Sequence, residues 1–134
     1  MKIMDSITDE ELIRRAKSVV RPRKIRHGFN VGEVGCALVT EKGNIYLGVS
    51  IDTCSGIGFC AEHSAIAAMV TQGEHRIKKI VAVVEDGMVV LPCGRCRELI
   101  HQIHESNLDT EIIAGKNRSF KLRDLLPYPW DELI

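Results

Sequence analysis

The chain has 134 residues, of which 45% are hydrophobic and 27% charged, and its formal net charge is zero. This composition is typical of a globular protein, and the length fits one domain spanning residues 1–134. No apolar run approaches the roughly 18 residues that a membrane-spanning helix requires, and we expect no secretory signal. Five cysteines without regular spacing disfavour a disulfide scaffold and predict a reducing compartment, the cytoplasm.

Charge is distributed unevenly along the chain. Residues 14–26 contain seven basic and no acidic side chains, which leaves 11 basic against 18 acidic residues elsewhere. A short basic run can contact phosphate or RNA, but it is more often a solvated helix face and loop. The run contains no aromatic side chain that would stack on a base, so we expect no nucleic-acid partner.

The first predicted element is a helix near the N-terminus. Thr8 followed by Glu11 forms a capping box, which marks the start of a helix. The apolar residues that follow share one face, as expected of a helix packed on a core. Pro22 ends the pattern, because proline cannot continue a helix.

Hydrophobic periodicity, β-branched runs and turn residues predict the remaining elements. In chain order they are a hairpin of two strands (35–40 and 45–51), a helix (60–72), two strands (80–84 and 88–91), a helix (93–105), a strand (109–114) and a short helix (122–126). This alternation implies helices on both faces of a mixed sheet. The predicted fold is α/β, a three-layer α/β/α sandwich with a five-stranded mixed sheet.

Three cysteines lie where two of these helices begin. Cys93 and Cys96 have the C-x-x-C spacing that lets two thiolates in one helical turn reach a single zinc ion, and Cys60 begins the other helix. Three thiolates leave the fourth tetrahedral position to water, which is the mark of a catalytic zinc site. Two helix N-termini directed at the cluster would offset its negative charge. We therefore predict a zinc site at Cys60, Cys93 and Cys96.

Glu62 follows Cys60 by two residues and falls on the apolar side of its helix. A carboxyl group there is desolvated, which raises its pKa and suits it to moving protons at neutral pH. The alternative is that Glu62 only caps the helix start, where acidic side chains are favoured. A cap needs no apolar face, so the catalytic role is preferred.

Two other interpretations of the cysteines stay open. Cys60-x-x-His63 together with Cys93-x-x-Cys96 would form a closed Cys₃His structural zinc site, and the chain would then be a non-catalytic module. A thioredoxin-like redox pair of Cys93 and Cys96 is the second, and it leaves Cys60 and Glu62 without a role.

At these residues the sequence resembles the cytidine deaminase superfamily. Within it, the small homotetrameric cytidine deaminases and the blasticidin S deaminases also have cysteine as the first zinc ligand. The resemblance covers about residues 31–130. The segments that carry it are Cys60-Ala61-Glu62 and Pro92-Cys93-Gly94-Arg95-Cys96-Arg97, with weaker matches at Val34-Gly35-Cys36-Ala37 and Leu125-Leu126-Pro127.

The resemblance implies zinc-dependent hydrolytic deamination of a cytosine nucleoside, cytidine or deoxycytidine, to the uracil nucleoside in pyrimidine salvage. Zinc hydroxide would attack carbon 4, while Glu62 would protonate ring nitrogen 3 and then the departing ammonia. The substrate-binding positions that it implies are Ser50 and Asp52 at the ribose, the backbone of Ala61 and Pro92 at the ring edge, and Trp130 near the base of a neighbouring subunit in a homotetramer.

Some positions depart from the pattern of the family. Gly32 stands where the family often has an aromatic residue, so base stacking is expected from Phe29, Phe59 or Trp130. His63 replaces an arginine, and we expect it to donate to a cysteine sulfur. An aminopyrimidine nucleoside antibiotic such as blasticidin S therefore stays open as an alternative substrate.

Overall fold

The computed structural model describes residues 6–133, and the elements below are those of this part of the chain. The α-helices are α1 (Asp9–Ser18), α2 (Ala61–Thr71), α3 (Gly94–Gln102) and α4 (Leu122–Leu125). The β-strands are β1 (Arg23–Arg26), β2 (Phe29–Thr40), β3 (Ile45–Thr53), β4 (Ile77–Val84), β5 (Val89–Val90), β6 (Glu111–Gly115) and β7 (Arg118–Lys121). None of the described helices is long and apolar enough to cross a bilayer.

The strands form one mixed sheet. β3, β2, β4, β6 and β7 lie side by side in that order, while the short β1 and β5 pair with β2 and β4. β4 and β6 run parallel, and the other pairs are antiparallel. The described sheet therefore has seven strands where the sequence predicted five. The additional strands β1 and β7 are mostly exposed and rich in basic residues, so they show no apolar alternation.

Helices cover both faces of the sheet. Successive side chains of a strand point to opposite faces, so β2 and β4 contribute to two separate apolar clusters. The cluster under α1 is Leu12, Ala16, Ala37, Val39, Val81, Val83 and Ile113. The cluster under α2, α3 and α4 is Cys36, Leu38, Ala61, Ala65, Ile66, Met69, Ile77, Ile80, Ile100, Ile112 and Leu122. The three-layer α/β/α sandwich predicted from the sequence is confirmed.

A close contact fixes the start of α2 against β3. A Cβ atom at Gly48 would lie 2.4 Å from the backbone nitrogen of Ala65, so only glycine permits this approach. Ser64 Oγ donates a hydrogen bond to the Val49 carbonyl at 2.7 Å across the same contact. The position of Cys60, the N-cap residue of α2, is set by this packing.

The end of α3 is held by a buried amide. The helix ends at Gln102, earlier than predicted, and a 3₁₀ turn follows at Glu105–Asp109. Asn107 in that turn is fully buried, and its Oδ1 accepts a hydrogen bond from the Ile77 backbone nitrogen at 2.9 Å. Its Nδ2 donates to the Ile100 carbonyl at 2.8 Å. These bonds join the end of α3 to the start of β4.

Candidate metal centre and active site

Three thiols meet where α2 and α3 begin. Cys60 and Cys93 are the N-cap residues of the two helices, and Cys96 lies in the first turn of α3. Their Sγ atoms lie within 4.8 Å of one another, with those of Cys60 and Cys93 3.5 Å apart. Zinc–sulfur bonds of about 2.3 Å in a tetrahedron separate the sulfurs by about 3.8 Å. The donor atoms and their spacing therefore fit a zinc ion.

The surroundings of the thiols affect each one differently. Burial raises the pKa of Cys60, and the neighbouring Cys93 thiol raises it further. Burial also raises the pKa of Cys96. At Cys93 burial acts in the same direction, but hydrogen bonds from the Cys96 backbone and from the other two thiols outweigh it and lower the pKa. A bound cation favours the thiolate at all three positions, and the first turns of two helices add positive potential there.

Glu62 lies beside this cluster in the first turn of α2. Its side chain is buried, with 5% of the residue exposed, as the apolar face of its helix predicts. Burial raises the pKa of its carboxyl group, and a backbone hydrogen bond opposes that increase only in part. A carboxyl group in this environment can hold a proton closer to neutral pH than a solvated one.

A cavity of about 380 Å³ opens beside the thiols, a volume within the range of small-molecule sites. The predicted site residues that line it are Ser50, Asp52, Cys60, Ala61, Glu62 and Cys93. Cys96 lies behind the wall and is 1% exposed. Because Ala61 is the first residue of α2, its backbone N–H has no partner within the helix, and the residue is fully buried at the cavity wall.

The sequence matches a known protein family. The family model described as "Cytidine and deoxycytidylate deaminase zinc-binding region" matches residues 6–112. The chain belongs to this family. Zinc is therefore its cofactor, consistent with the cluster of three thiols, and its activity is hydrolytic deamination.

This deaminase is similar in sequence to a cytidine deaminase and to a blasticidin-S deaminase. The cytidine deaminase of Mycobacterium tuberculosis (strain ATCC 25618 / H37Rv) is 33% identical over 95 residues, which are 70% of this chain and 69% of that protein. The blasticidin-S deaminase of Bacillus cereus is 40% identical over 107 residues, which are 73% of this chain and 76% of that protein.

Solved cytidine deaminases share the fold of this deaminase. The crystal structure of the enzyme from Mycobacterium tuberculosis matches with a TM-score of 0.77 and 26% identity, covering 92% of this chain and 98% of that chain. The enzyme from Burkholderia pseudomallei matches with a TM-score of 0.75 and 26% identity, covering 92% and 100%.

Ser50 and Asp52 of the deaminase lie on β3 at the cavity. Ser50 Oγ accepts a hydrogen bond from the Val34 backbone nitrogen at 3.0 Å. That nitrogen lies between Val31 and Gly35, where the regular pairing of β2 with β3 is interrupted. The Ser50 hydroxyl therefore supplies the hydrogen-bond acceptor that this part of β2 needs. Its hydroxyl proton is free for another acceptor. Asp52 is exposed at the cavity wall.

Two predicted substrate positions lie outside this cavity wall. Pro92 borders a much smaller void beside Glu62, and its carbonyl already accepts a hydrogen bond from Arg97 Nε at 2.8 Å. Trp130 is 68% exposed, and its backbone nitrogen donates to Glu98 Oε1 at 2.8 Å. The prediction for Trp130 concerned a neighbouring subunit, and the cavity of its own chain does not include it.

His63 does not join the three thiols. Among the described residues, the candidate metal-binding cluster contains only the cysteines, so the alternative of a closed Cys₃His site is not formed. His63 Nδ1 is buried without a hydrogen-bond partner, so this atom does not donate to a cysteine sulfur as the sequence suggested. The imidazole ring instead stacks on Phe59, with the ring centroids 4.7 Å apart.

Sequence reasoning missed Arg95, which also lines the cavity. The available signal was its place inside the C-x-x-C motif, between Cys93 and Cys96, because that position keeps its side chain near the metal centre. Of the three aromatic residues considered for base stacking, Phe59 lines the cavity, while Phe29 and Trp130 do not.

Proposed function

We propose that the protein hydrolyses the amino group of cytidine or deoxycytidine, with Cys60, Cys93 and Cys96 holding zinc and Glu62 moving protons. One observation carries the proposal: a buried carboxyl group and a three-thiol cluster meet at a cavity of small-molecule size. The cytidine deaminases among the relatives support this choice of substrate class.

In the proposed reaction, the oxygen of water forms a bond to carbon 4 of the base, the carbon–nitrogen bond breaks, and ammonia leaves. Bound zinc supplies the activation of this water by lowering its pKa towards neutrality. Glu62 takes one proton from the water and delivers it to ring nitrogen 3. It then takes the second proton, from the hydroxyl group now on carbon 4, and passes it to the amino group, which leaves as ammonia. The raised pKa of its carboxyl group supports this exchange near neutral pH.

Polar groups around the cavity would orient the nucleoside. The backbone N–H of Ala61, which has no partner within α2, would contact the ring edge. Pro92 lies outside the cavity wall, and the second lone pair of its carbonyl, beside the one that accepts from Arg97, is the predicted further contact to the ring edge. The Ser50 hydroxyl and the Asp52 carboxylate would contact the sugar.

An aminopyrimidine nucleoside antibiotic such as blasticidin S is the second candidate substrate. The observation that favours it is sequence identity, which is higher to the blasticidin-S deaminase of Bacillus cereus, at 40%, than to the Mycobacterium tuberculosis cytidine deaminase, at 33%. A panel of cytidine, deoxycytidine and blasticidin S, followed by ultraviolet absorbance and ammonia release, separates the two. Faster turnover of blasticidin S than of either nucleoside would favour the antibiotic.

Replacing the proton carrier tests the mechanism. Glu62→Ala should keep about one zinc per chain and lose turnover by about 10²- to 10⁴-fold, because no other side chain moves the proton. Glu105→Ala, which removes an exposed carboxylate, is the matched control and should retain full activity. Unchanged turnover in Glu62→Ala, or a wild-type protein that holds zinc and deaminates no cytosine compound, would contradict the proposal.

We also propose that the protein is a cytoplasmic homotetramer acting in pyrimidine salvage, with Trp130 near the base bound by a neighbouring subunit. The exposed aromatic side chains of Tyr128 (86%) and Trp130 (68%) support an interface between copies. The five free cysteines support a reducing compartment. Light scattering should give about four times the mass of the chain, and a monomer at assay concentration would contradict the tetramer.

A further inference from the structure

One aromatic side chain lines the cavity beside the thiols. All aromatic residues of the chain fall within the described part, and Phe59 is the only one of them in the cavity wall. It directly precedes Cys60 and is half-buried, so its ring contacts both the protein and the open space. An aromatic surface therefore adjoins the metal centre.

The backbone of Phe59 is fixed by its neighbour on β3. Its nitrogen donates to the Ile51 carbonyl, and its carbonyl accepts from the Ile51 nitrogen, both at 2.9 Å. A Cβ atom at Gly58 would lie 2.1 Å from the Ile51 carbonyl oxygen, so only glycine permits this approach. The paired backbone fixes the point from which the Phe59 side chain extends beside the cavity.

The ring of Phe59 is supported by His63. The two rings are stacked, with centroids 4.7 Å apart and planes inclined by 28°. Phe59 lines the cavity and His63 does not, so the imidazole packs on the phenyl ring without itself forming part of the cavity wall. His63 Nδ1 has no hydrogen-bond partner, and the visible role of the imidazole is ring packing.

We propose that Phe59 is the surface on which the pyrimidine ring of the substrate stacks, and that His63 is a positioning residue that holds the phenyl ring. The inference rests on the proposed function, because it names the residue that binds the base of that substrate. Nucleobases stack on aromatic side chains in many protein sites, and a rigid ring binds them at low entropic cost. Phe59 would therefore affect affinity for the base more than the proton transfers at Glu62.

Three variants test the stacking. Phe59→Leu should weaken the binding of uridine, measured by calorimetry, and raise the KM for cytidine, each about tenfold, with kcat changed less than about threefold. Phe59→Tyr keeps the ring and should stay within about twofold of the wild type. Phe29→Leu makes the same chemical change outside the cavity and should bind uridine as the wild type does.

Zinc content is measured on every variant, because Phe59 adjoins Cys60. Wild-type affinity for uridine in Phe59→Leu, or equal losses in Phe59→Leu and Phe59→Tyr, would overturn the stacking role. If Phe59→Leu does not fold, Phe59→Trp replaces it, and indole emission that uridine leaves unchanged would overturn the role. The proposed function fails separately, by lack of turnover in the zinc-loaded wild type.

The positioning role has its own pair of variants. His63→Ala should weaken uridine binding about threefold and keep zinc, whereas His63→Phe, which restores a ring, should return affinity to within about twofold. Wild-type affinity in His63→Ala, or no recovery in His63→Phe, would overturn the role of His63.

Discussion

Glu74 is a buried carboxylate outside the active site, with 9% of the residue exposed. Its Oε2 accepts hydrogen bonds from Asn44 Nδ2 and from the Tyr46 hydroxyl, both at 2.8 Å. Burial alone would raise its pKa, but hydrogen bonds from Thr40, Asn44 and Tyr46 outweigh burial and lower it below the usual 4.5. The carboxylate therefore ties the hairpin of β2 and β3 to the turn after α2.

Glu74→Gln should make stability depend less on pH. Because the native pKa is lowered, the carboxylate stabilises the fold fully above pH 4.5, and this contribution is lost as pH falls through the native pKa. Urea unfolding should show the variant less stable by about 1–2 kcal/mol at pH 7, with the gap closing below pH 4.5. Glu85→Gln, at an exposed position, is the control, and a gap that is independent of pH would contradict the assignment.

At the scale of single residues, the sequence predicted those features of the site that depend only on the spacing of residues within one helix. Cys93 and Cys96 meet because they share one helical turn, and Glu62 is buried because it shares the inner face of its helix with Ile66 and Met69. The ring contact between Phe59 and His63 depends on how the loop before α2 pairs with β3, so spacing did not reveal it. The prediction for Trp130 concerns a neighbouring subunit, and the structure of a single chain does not test it.

At the scale of elements, α2 positions the site through its contact with β3. Gly48→Ala would place a Cβ atom 2.4 Å from the Ala65 backbone nitrogen, and a helix backbone cannot rotate away. We expect a loss of about 1–3 kcal/mol in the free energy of unfolding, measured in urea. Gly94→Ala is the matched control, because its Cβ would meet nothing within 4 Å. Equal losses in both variants would contradict the role of the contact.

The elements that the sequence predicted are those with a buried face. The apolar runs of β2, β4 and β6 and the inner face of α2 follow directly from the pattern. The expectation that α2 is buried all round is wrong, because Ala67, Ala68 and Val70 on its outer face are exposed. The short strands β1 and β7 carry mostly exposed side chains and form because neighbouring strands offer backbone partners. Pairing of this kind leaves no hydrophobic signal in the sequence, so β1 and β7 were not predicted.

At the scale of the whole molecule, the metal centre joins two distant segments. Cys60 and Cys93 are 33 residues apart in sequence, and each begins a different helix. Zinc that binds only the folded chain stabilises it, so chelation should lower the melting temperature by at least about 5 °C, and added zinc should restore it. Glu62→Ala should respond as the wild type does. A melting temperature that the chelator leaves unchanged would contradict this expectation.

The bridge between Ile51 and Phe59 also covers part of one edge of the sheet. β3 and β7 are the outer strands, and an outer strand can recruit a strand from another molecule through its unpaired backbone groups. Phe59 occupies part of this margin on β3, and β7 carries the cations of Arg118 and Lys121, which disfavour strand addition. The residue that faces the cavity thus also pairs with backbone groups of β3 that would otherwise be open to another strand.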